Sequence, residues 1–357
     1  MSRPAPLRIA LVGCGAIAEY GHVPALLSLP EQAAVTSVVD SAAARRELVG
    51  ELLHVPAARR HGDVAALVRA GDPVDLAVVI LPPRATPGAV EALLAAGTPV
   101  LAEKPVTADP RQAARLAGSA APGRLGIVHN YLHRSDVRQA LEHLRSEETG
   151  PVRFLRLEQP DAGHFPGAGD RPHWRRNDTP EGCLLDNAYH WVYVAAELAG
   201  APVAKVTARL SRPADGSAVD VALLLLDHAN GVLTSVQTSW CAKDARPVLE
   251  VHTDRGSLRL EGDCAPCTPT LPGTAASAVA LEPAYLAFYR DVLAAVRAGV
   301  PFAAPPDSCV AVLRVLAAAT ESARTGRTVT VGAVPAVTTG GPDQPYRPAR
   351  LTGPDHS

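Results

Sequence analysis

The chain has no apolar run near the ~20 residues that a membrane-spanning helix needs. Its opening, Met-Ser-Arg-Pro-Ala-Pro, carries no signal-peptide core before the first apolar segment. These absences set the expectation of a cytoplasmic protein without a membrane partner. An excess of one charge is also lacking. The 34 Lys and Arg against 36 Asp and Glu leave a net charge of −2, so no overall field draws nucleic acid, and the basic stretch Arg171–Arg176 reads as a polar loop. Cysteine is sparse: Cys14, Cys183, Cys241, Cys264, Cys267 and Cys309 lie scattered through 357 residues, which argues against a disulfide framework. Cys264-Ala-Pro-Cys267 has neither a second pair nor a neighbouring histidine, two ligands short of a structural zinc site, so no metal is expected. Hydrophobic residues make up 47% and charged ones 20%, the profile of a soluble globular chain with length for two domains of roughly 150 residues each.

The most informative stretch runs from Ile9 to Ala18, Ile-Ala-Leu-Val-Gly-Cys-Gly-Ala-Ile-Ala. A buried strand ends at Gly13, which permits a tight turn. Gly15 lets the backbone approach a pyrophosphate, and Ala18 lets the following helix pack on the strand, its N-terminus offering N–H donors and positive dipole. Asp40 ends the next apolar strand 22 residues past Ala18, where a carboxylate can bind both hydroxyls of an adenosine ribose. That residue favours NAD, because its charge repels a 2′-phosphate. Arg45 and Arg46 leave NADP open.

Over the first 130 residues apolar runs alternate with helical segments. Strands are predicted at Arg8–Val12, Val35–Asp40, Leu76–Ile80, Pro99–Ala102 and Leu125–Val128, with helices near Ile17–Leu29, Ala42–Leu53, Val64–Ala70, Pro87–Ala96 and Pro110–Ala120. Such alternation implies a doubly wound parallel sheet, a Rossmann α/β domain, over 1–125. The pattern then changes. A helix near Asp136–Glu147 precedes a strand at Val152–Glu158, a Gly- and Pro-rich loop, and a helix over Leu184–Leu198. Strands follow at Lys205–Leu210, Asp220–Leu226, Val232–Ser239, Val248–Thr253 and Ser257–Leu260, with the turn signals Ala229-Asn230-Gly231 and Asp254-Arg255-Gly256 between them. This predicts an α+β domain over 126–332 with a mainly antiparallel sheet. The helices Ala284–Ala298 and Ser308–Thr325 are expected to cover one face of a sheet. Residues 333–357, rich in Pro, Gly and Thr, read as a flexible tail. A cofactor in the first domain then faces a cleft that the second completes.

Two clusters can do chemistry there. Leu101-Ala-Glu-Lys-Pro105 follows a strand whose C-terminal end lines the ligand crevice. A lysine at 104 can hydrogen-bond a substrate hydroxyl, and Pro105 can fix the turn that aims it, a cis bond being open to it. Asp186 and His190 stand at i and i+4 on one helix, so both face one side. The histidine suits proton transfer and the aspartate can orient it. Asn130, Tyr131 and His133, just past the last strand of the first domain, are candidate cleft residues. His173-Trp174-Arg175-Arg176 could form a lid, with Trp174 stacking on a sugar face.

Lys104, Asp186 and His190 together resemble the signature of the Gfo/Idh/MocA oxidoreductase family, which includes glucose–fructose oxidoreductase and inositol dehydrogenases. The resemblance extends over about residues 7–331. It takes in the glycine turn, Val-Val-Ile-Leu-Pro-Pro (78–83), Ala-Ala-Gly-x-Pro-Val-Leu-Ala-Glu-Lys-Pro (95–105) and Gly-x-x-x-Asp-x-x-x-His (182–190), with Gly150-Pro-Val and Asp254-Arg-Gly-Ser-Leu beside them. It implies a large open sheet in the second domain that mediates a homodimer or homotetramer. It also implies NAD contacts from Gly13, Gly15, Ala16, Ile17, Asp40, Ser41, Leu81, Pro82, Thr86, Glu103 and Lys104, and substrate contacts from Asn130, Tyr131, Trp174, Asn187 and Tyr189. In the implied reaction hydride passes between nicotinamide C4 and a secondary alcohol or ketone carbon of a sugar, aminosugar or cyclitol. Lys104 polarises the oxygen, His190 is the general acid/base and Asp186 supports it. Two alternatives stand beside this: a sugar-nucleotide ketoreductase with Tyr189 as the acid, and a binding-only NAD(P) sensor. The chain departs from the family pattern at Thr86, where histidine is frequent, at Glu181-Gly182-Cys183, where three small residues are frequent, and at Tyr193, where an acid is frequent.

Overall fold

The computed structural model describes residues 4–145, 149–161, 179–242, 247–261, 268–269 and 283–332. Trp174, the Cys264/Cys267 pair and the tail expected over 333–357 lie outside the described residues.

Six strands, β1 (Leu7–Val12), β2 (Ala33–Val39), β3 (Arg60–His61), β4 (Leu76–Val79), β5 (Val100–Ala102) and β6 (Leu125–Ile127), form a parallel sheet in the order β3-β2-β1-β4-β5-β6. The helices α1 (Val23–Leu27), α2 (Ala43–Leu52), α3 (Val64–Ala70), α4 (Thr86–Ala95) and α5 (Pro110–Ser119) connect them. This is the doubly wound arrangement the alternation predicts. The edge strand β3 was not expected, because two residues without an apolar run give no periodic signal. The helix after the glycine turn differs from the expected Ile17–Leu29. It opens as a wide π turn over Ala18–His22, with Val23 N–H donating to Ala18 O, before tightening into α1. Pro24 has no N–H to offer the Tyr20 carbonyl, which removes one rung of an α ladder there.

The second sheet has eight strands: β7 (Val152–Pro160), β8 (Val203–Ser211), β9 (Val221–His228), β10 (Leu233–Ser239), β11 (Val248–Thr253), β12 (Ser257–Glu261), β13 (Thr268–Pro269) and β14 (Val329–Thr330). Their order is β13-β12-β11-β7-β10-β9-β8-β14, antiparallel except for the pair β7·β10. Strand β9 shows why one face is covered and the other open: Ala222, Leu224 and Leu226 are buried, while Leu223 and Leu225 are exposed. The covered face meets α7 (Tyr189–Ala199) and α9 (Pro306–Thr325), and α9 also packs on α5. The short helix α6 (Ser135–Leu144) lies beside α7.

Between α7 and α9 in the chain lies α8 (Ala284–Ala298), a helix over the expected bounds. It packs on α1 and on the turn Asn130–His133, so it covers the first sheet rather than the second. Phe288, Tyr289 and Leu293 join Ile9, Leu11, Leu76 and Val78 in one core. Burying each such large apolar side chain contributes roughly 1.5–3 kcal/mol. Strand β6 extends past the expected division at 125, with Ile127 N–H donating to Ala304 O. The segment leading into α9 is thereby tied to the edge of the first sheet.

Candidate active site

Strand ends build the cleft. Gly13 follows β1, Asp40 follows β2, Leu81 follows β4, and Glu103 and Lys104 follow β5, all at the carboxyl edge of the parallel sheet. The far wall comes from the second half of the chain: Gln159 and Asp161 at the end of β7, Asp186 and Asn187 in the turn before α7, His190 at the start of α7, and Tyr285 from α8. The open cleft has a volume of about 510 Å³.

Gly13 has φ +102°, and a Cβ there would run into the Ile80 carbonyl, so only glycine serves. At Gly15 a Cβ would meet nothing within 4 Å; its place is open cleft, as a close-lying pyrophosphate requires. Asp40 accepts the Cys14 N–H at 2.7 Å and the Ala42 N–H at 2.8 Å, and each carboxylate oxygen keeps a lone pair for a ribose hydroxyl. Arg45 donates to Cys14 O at 2.8 Å and to Glu19 at 2.7 Å, and Arg46 donates to Asp40 O at 2.7 Å. Both arginines are thus engaged in bracing the Asp40 loop. These residues fit a dinucleotide with a free ribose diol.

Lys104 Nζ donates to Asp186 Oδ1 at 3.2 Å and to the Asp186 carbonyl at 2.9 Å, and the Lys104–Pro105 bond is cis. Behind it, Glu103 Oε2 accepts the Lys104 N–H at 2.9 Å, while Oε1 accepts from Tyr285 at 2.8 Å and meets His22 Nε2 at 3.0 Å. His22 Nδ1 in turn lies 2.6 Å from the Tyr289 hydroxyl. Burial works to raise the Glu103 carboxyl. The hydrogen bond and charge of His22, with Lys104 and Tyr285, outweigh that and hold it below the usual carboxylate range. On the facing wall the Tyr131 ring stacks on His190 at 3.9 Å between centroids, 13° from parallel. Asp186 sits in a second wide turn, Leu184–Ala188, with His190 in the α-helix after it. Wide turns of this kind recur at functional sites. Asn187 Oδ1 accepts from Trp240 Nε1 at 2.9 Å. Asn130 and Gln159 line the cleft, and Asn130 Oδ1 and Gln159 Oε1 are buried with no protein partner among the described residues, which leaves each an acceptor to satisfy.

Of the expected site residues, Gly13, Gly15, Ala16, Ile17, Asp40, Leu81, Pro82, Glu103, Lys104, Asn130, Tyr131, Asp186, Asn187 and His190 line this cleft. Three do not. Ser41 is exposed beside it. Thr86 is fully buried and turns its hydroxyl to the Leu81 and Pro82 carbonyls at 2.9 and 3.2 Å, stitching the start of α4. Tyr189 is fully buried, its hydroxyl 3.2 Å from His129 Nε2, away from the cleft. Neither a substrate contact nor the acid role proposed for Tyr189 fits that placement. Gln159, Asp161 and Tyr285 escaped sequence reading. Gln159 and Asp161 could have been sought at a strand end, whereas nothing local marks Tyr285.

The sequence matches the oxidoreductase family described as NAD-binding Rossmann fold over residues 7–124, and the GFO/IDH/MocA C-terminal domain over residues 137–259. An inositol 2-dehydrogenase of Leifsonia xyli subsp. xyli is 30% identical over 239 residues, 63% of this chain and 65% of that protein. A dTDP-3,4-didehydro-2,6-dideoxy-alpha-D-glucose 3-reductase of Actinomadura kijaniata is 29% identical over 239 residues, 65% of this chain and 69% of that protein. The matched stretch spans between 42% and 69% of the length of the curated relatives. An oxidoreductase from Agrobacterium radiobacter, solved with NAD+, L-tartaric acid and magnesium, superposes with a TM-score of 0.81 at 22% identity over 92% of this chain and 99% of its own. The match to both halves, on a fold with this sheet order and a cleft built at these strand ends, shows that the chain belongs to the GFO/IDH/MocA oxidoreductase family, with its NAD-binding Rossmann domain.

Proposed function

We propose that the protein is an NAD-dependent dehydrogenase or ketoreductase acting between a secondary alcohol and a ketone of a sugar, aminosugar or cyclitol. The observation that carries this reading is the convergence of Lys104 Nζ, Asp186 and His190 on the wall of the cleft whose other end holds Gly13, Gly15 and Asp40. Bound NAD supplies the hydride carrier. Lys104 offers its ammonium protons to the reacting oxygen, and Asp186 fixes that ammonium from below. His190 exchanges the proton with the oxygen, histidine being the side chain suited to proton transfer near neutral pH. The unpartnered carbonyls of Asn130 and Gln159 accept from hydroxyls next to the reacting carbon. Such acceptors suit a polyol better than a phosphate or carboxylate. This equipment favours an enzyme over a binding-only sensor, since a sensor has no use for a lysine held on a carboxylate beside the nicotinamide end.

Association of like chains belongs to the same reading. On the open face of the second sheet Leu225 stands opposite Ser235, and Leu233 opposite Asp227 and Phe154. Leu223, Leu225 and Leu233 are exposed there, an apolar area suited to a homodimer or homotetramer.

The test follows reduced-nicotinamide absorbance with NAD, and separately NADP, against inositols, aldoses, aminocyclitols and deoxysugars. Turnover with one class is expected, preferring NAD. His190→Phe should lower kcat by about 10²–10⁴-fold. Near-normal kcat in that variant would remove His190 from the chemistry.

A further inference from the structure

Tyr193 lies behind His190, out of the cleft. Its hydroxyl is 2.7 Å from His190 Nδ1 and accepts the main-chain N–H of Tyr131 at 3.1 Å. Burial pushes the phenol well above its ordinary value, so the hydroxyl keeps its single proton and has that proton to place. The Tyr131 N–H brings a hydrogen and cannot receive one. The Tyr193 ring is stacked on His129 at 4.0 Å, 9° from parallel, which sets the direction of the hydroxyl. Among the described residues, His190 Nδ1 is the acceptor within reach.

We propose that Tyr193 is a positioning residue that holds the neutral His190 ring in one tautomer, with Nδ1 accepting from the tyrosine and the proton on Nε2, the nitrogen on the cleft side. The inference rests on the reading that His190 meets the reacting oxygen. It adds which form of the ring does so. The ring cannot easily swing to choose otherwise. Tyr131 stacks on it, and the Arg134 guanidinium lies 4.7 Å from the other ring's centroid. Lys104 faces it from the opposite wall, paired with Asp186 one turn before His190 in the chain, and Glu103 stands behind the lysine.

The consequence is chemical. A carboxylate at position 193 would accept from Nδ1–H and leave Nε2 as a bare acceptor. A tyrosine whose hydroxyl already takes an N–H does the reverse. Neutral His190 then shows an N–H to the cleft, as Lys104 does, and a ketone or alkoxide oxygen meets two donors. To receive a proton on Nε2, the ring must first exist with Nδ1 protonated, and Tyr193 then has to turn its own proton away from the only acceptor found for it among the described residues.

The tautomer is read directly by nitrogen NMR of protein labelled with ¹⁵N-histidine, at mildly alkaline pH, with the His190 signals assigned by their loss in His190→Gln. In the unmutated protein Nε2 is expected to be protonated and Nδ1 to show the shift of a hydrogen-bonded bare nitrogen. In Tyr193→Phe the excess of that tautomer should fall about tenfold, the worth of roughly one hydrogen bond. NAD titration of the variant verifies that it is folded. Should Tyr193→Phe not fold, the unmutated protein alone decides. A proton on Nδ1 overturns the proposal, as does a tautomer ratio unchanged in the phenylalanine variant. Neither readout needs turnover, so a silent substrate panel would count against the proposed function and leave this inference standing.

Discussion

At the scale of the residue, the proposed preference for NAD over NADP rests on one carboxylate. Asp40 is held by two N–H donors, and in the proposed reading its charge repels a 2′-phosphate. The arginines that could pair with a phosphate are engaged elsewhere, Arg45 with Cys14 O and Glu19, Arg46 with Asp40 O. Asp40→Ser is therefore expected to weaken NAD and admit NADP, cutting the NAD preference by at least tenfold, about one charge-assisted hydrogen bond. Titrating both cofactors by fluorescence quenching checks this, and an unchanged preference ratio would place the discrimination elsewhere.

Much of this was legible in the sequence because it is local. A strand, two glycines and a helix within ten residues fix a backbone shape, and an acid at the next strand end fixes a charge. Lys104 was legible from its place after a strand, and Asp186 and His190 from their i, i+4 spacing. Tyr189 misled because it adjoins His190 in the chain. Neighbours on a helix are about 100° apart around its axis, so when His190 faces the cleft Tyr189 turns into the core. Thr86 misled for a different reason: a threonine at a helix start serves the backbone first.

At the scale of the element, α8 is the piece that sequence patterning could not place. Its apolar spacing predicts a helix correctly, and the pattern says nothing of which sheet receives it. The answer lies in pairings across more than 180 positions. Tyr285 reaches Glu103, Tyr289 reaches His22, and the Tyr285 ring lies so close to Gly21 that a Cβ there would be 2.7 Å from it. One buried carboxylate therefore ties together the glycine-loop helix, the lysine-bearing strand end and a helix from the far end of the chain. Removing a single hydroxyl from this knot should be felt. Tyr285→Phe is expected to lower unfolding free energy by roughly 0.5–1.5 kcal/mol and to weaken NAD binding, because Glu103 loses a donor that helps hold it against the Lys104 backbone. Urea unfolding with and without NAD measures both. A variant matching the parent in each would show that α8 is held by apolar packing alone.

At the scale of the whole molecule, several buried groups make stability depend on pH in one direction. Burial, with the charges of Lys104 and His133, drives the His129 imidazole down to about 3 from an ordinary 6.5. Burial also lowers His133, against the pull of Asp291, and His228. In the unfolded chain these rings regain their ordinary value, so as pH falls below about 6.5 the unfolded state takes up protons that the fold refuses, and unfolding is favoured. Glu103 adds to this lower down. Its carboxyl is more acidic in the fold than its ordinary 4.5, so the unfolded chain protonates first there as well. Both kinds of group give the unfolded state more protons than the folded one. Over the acid side, stability should therefore be level between about pH 6.5 and 8, decline below that range, and fall more steeply below about 4.5. Urea unfolding midpoints across that range test the shape. His129→Gln should be less stable at neutral pH, having lost the partner of Tyr189, and should show a shallower decline between neutral pH and about pH 5. A parent protein equally stable at pH 7 and about pH 5 would mean that these histidines find water or a counter-charge in the fold, and that the region behind α7 is more open than its packing indicates.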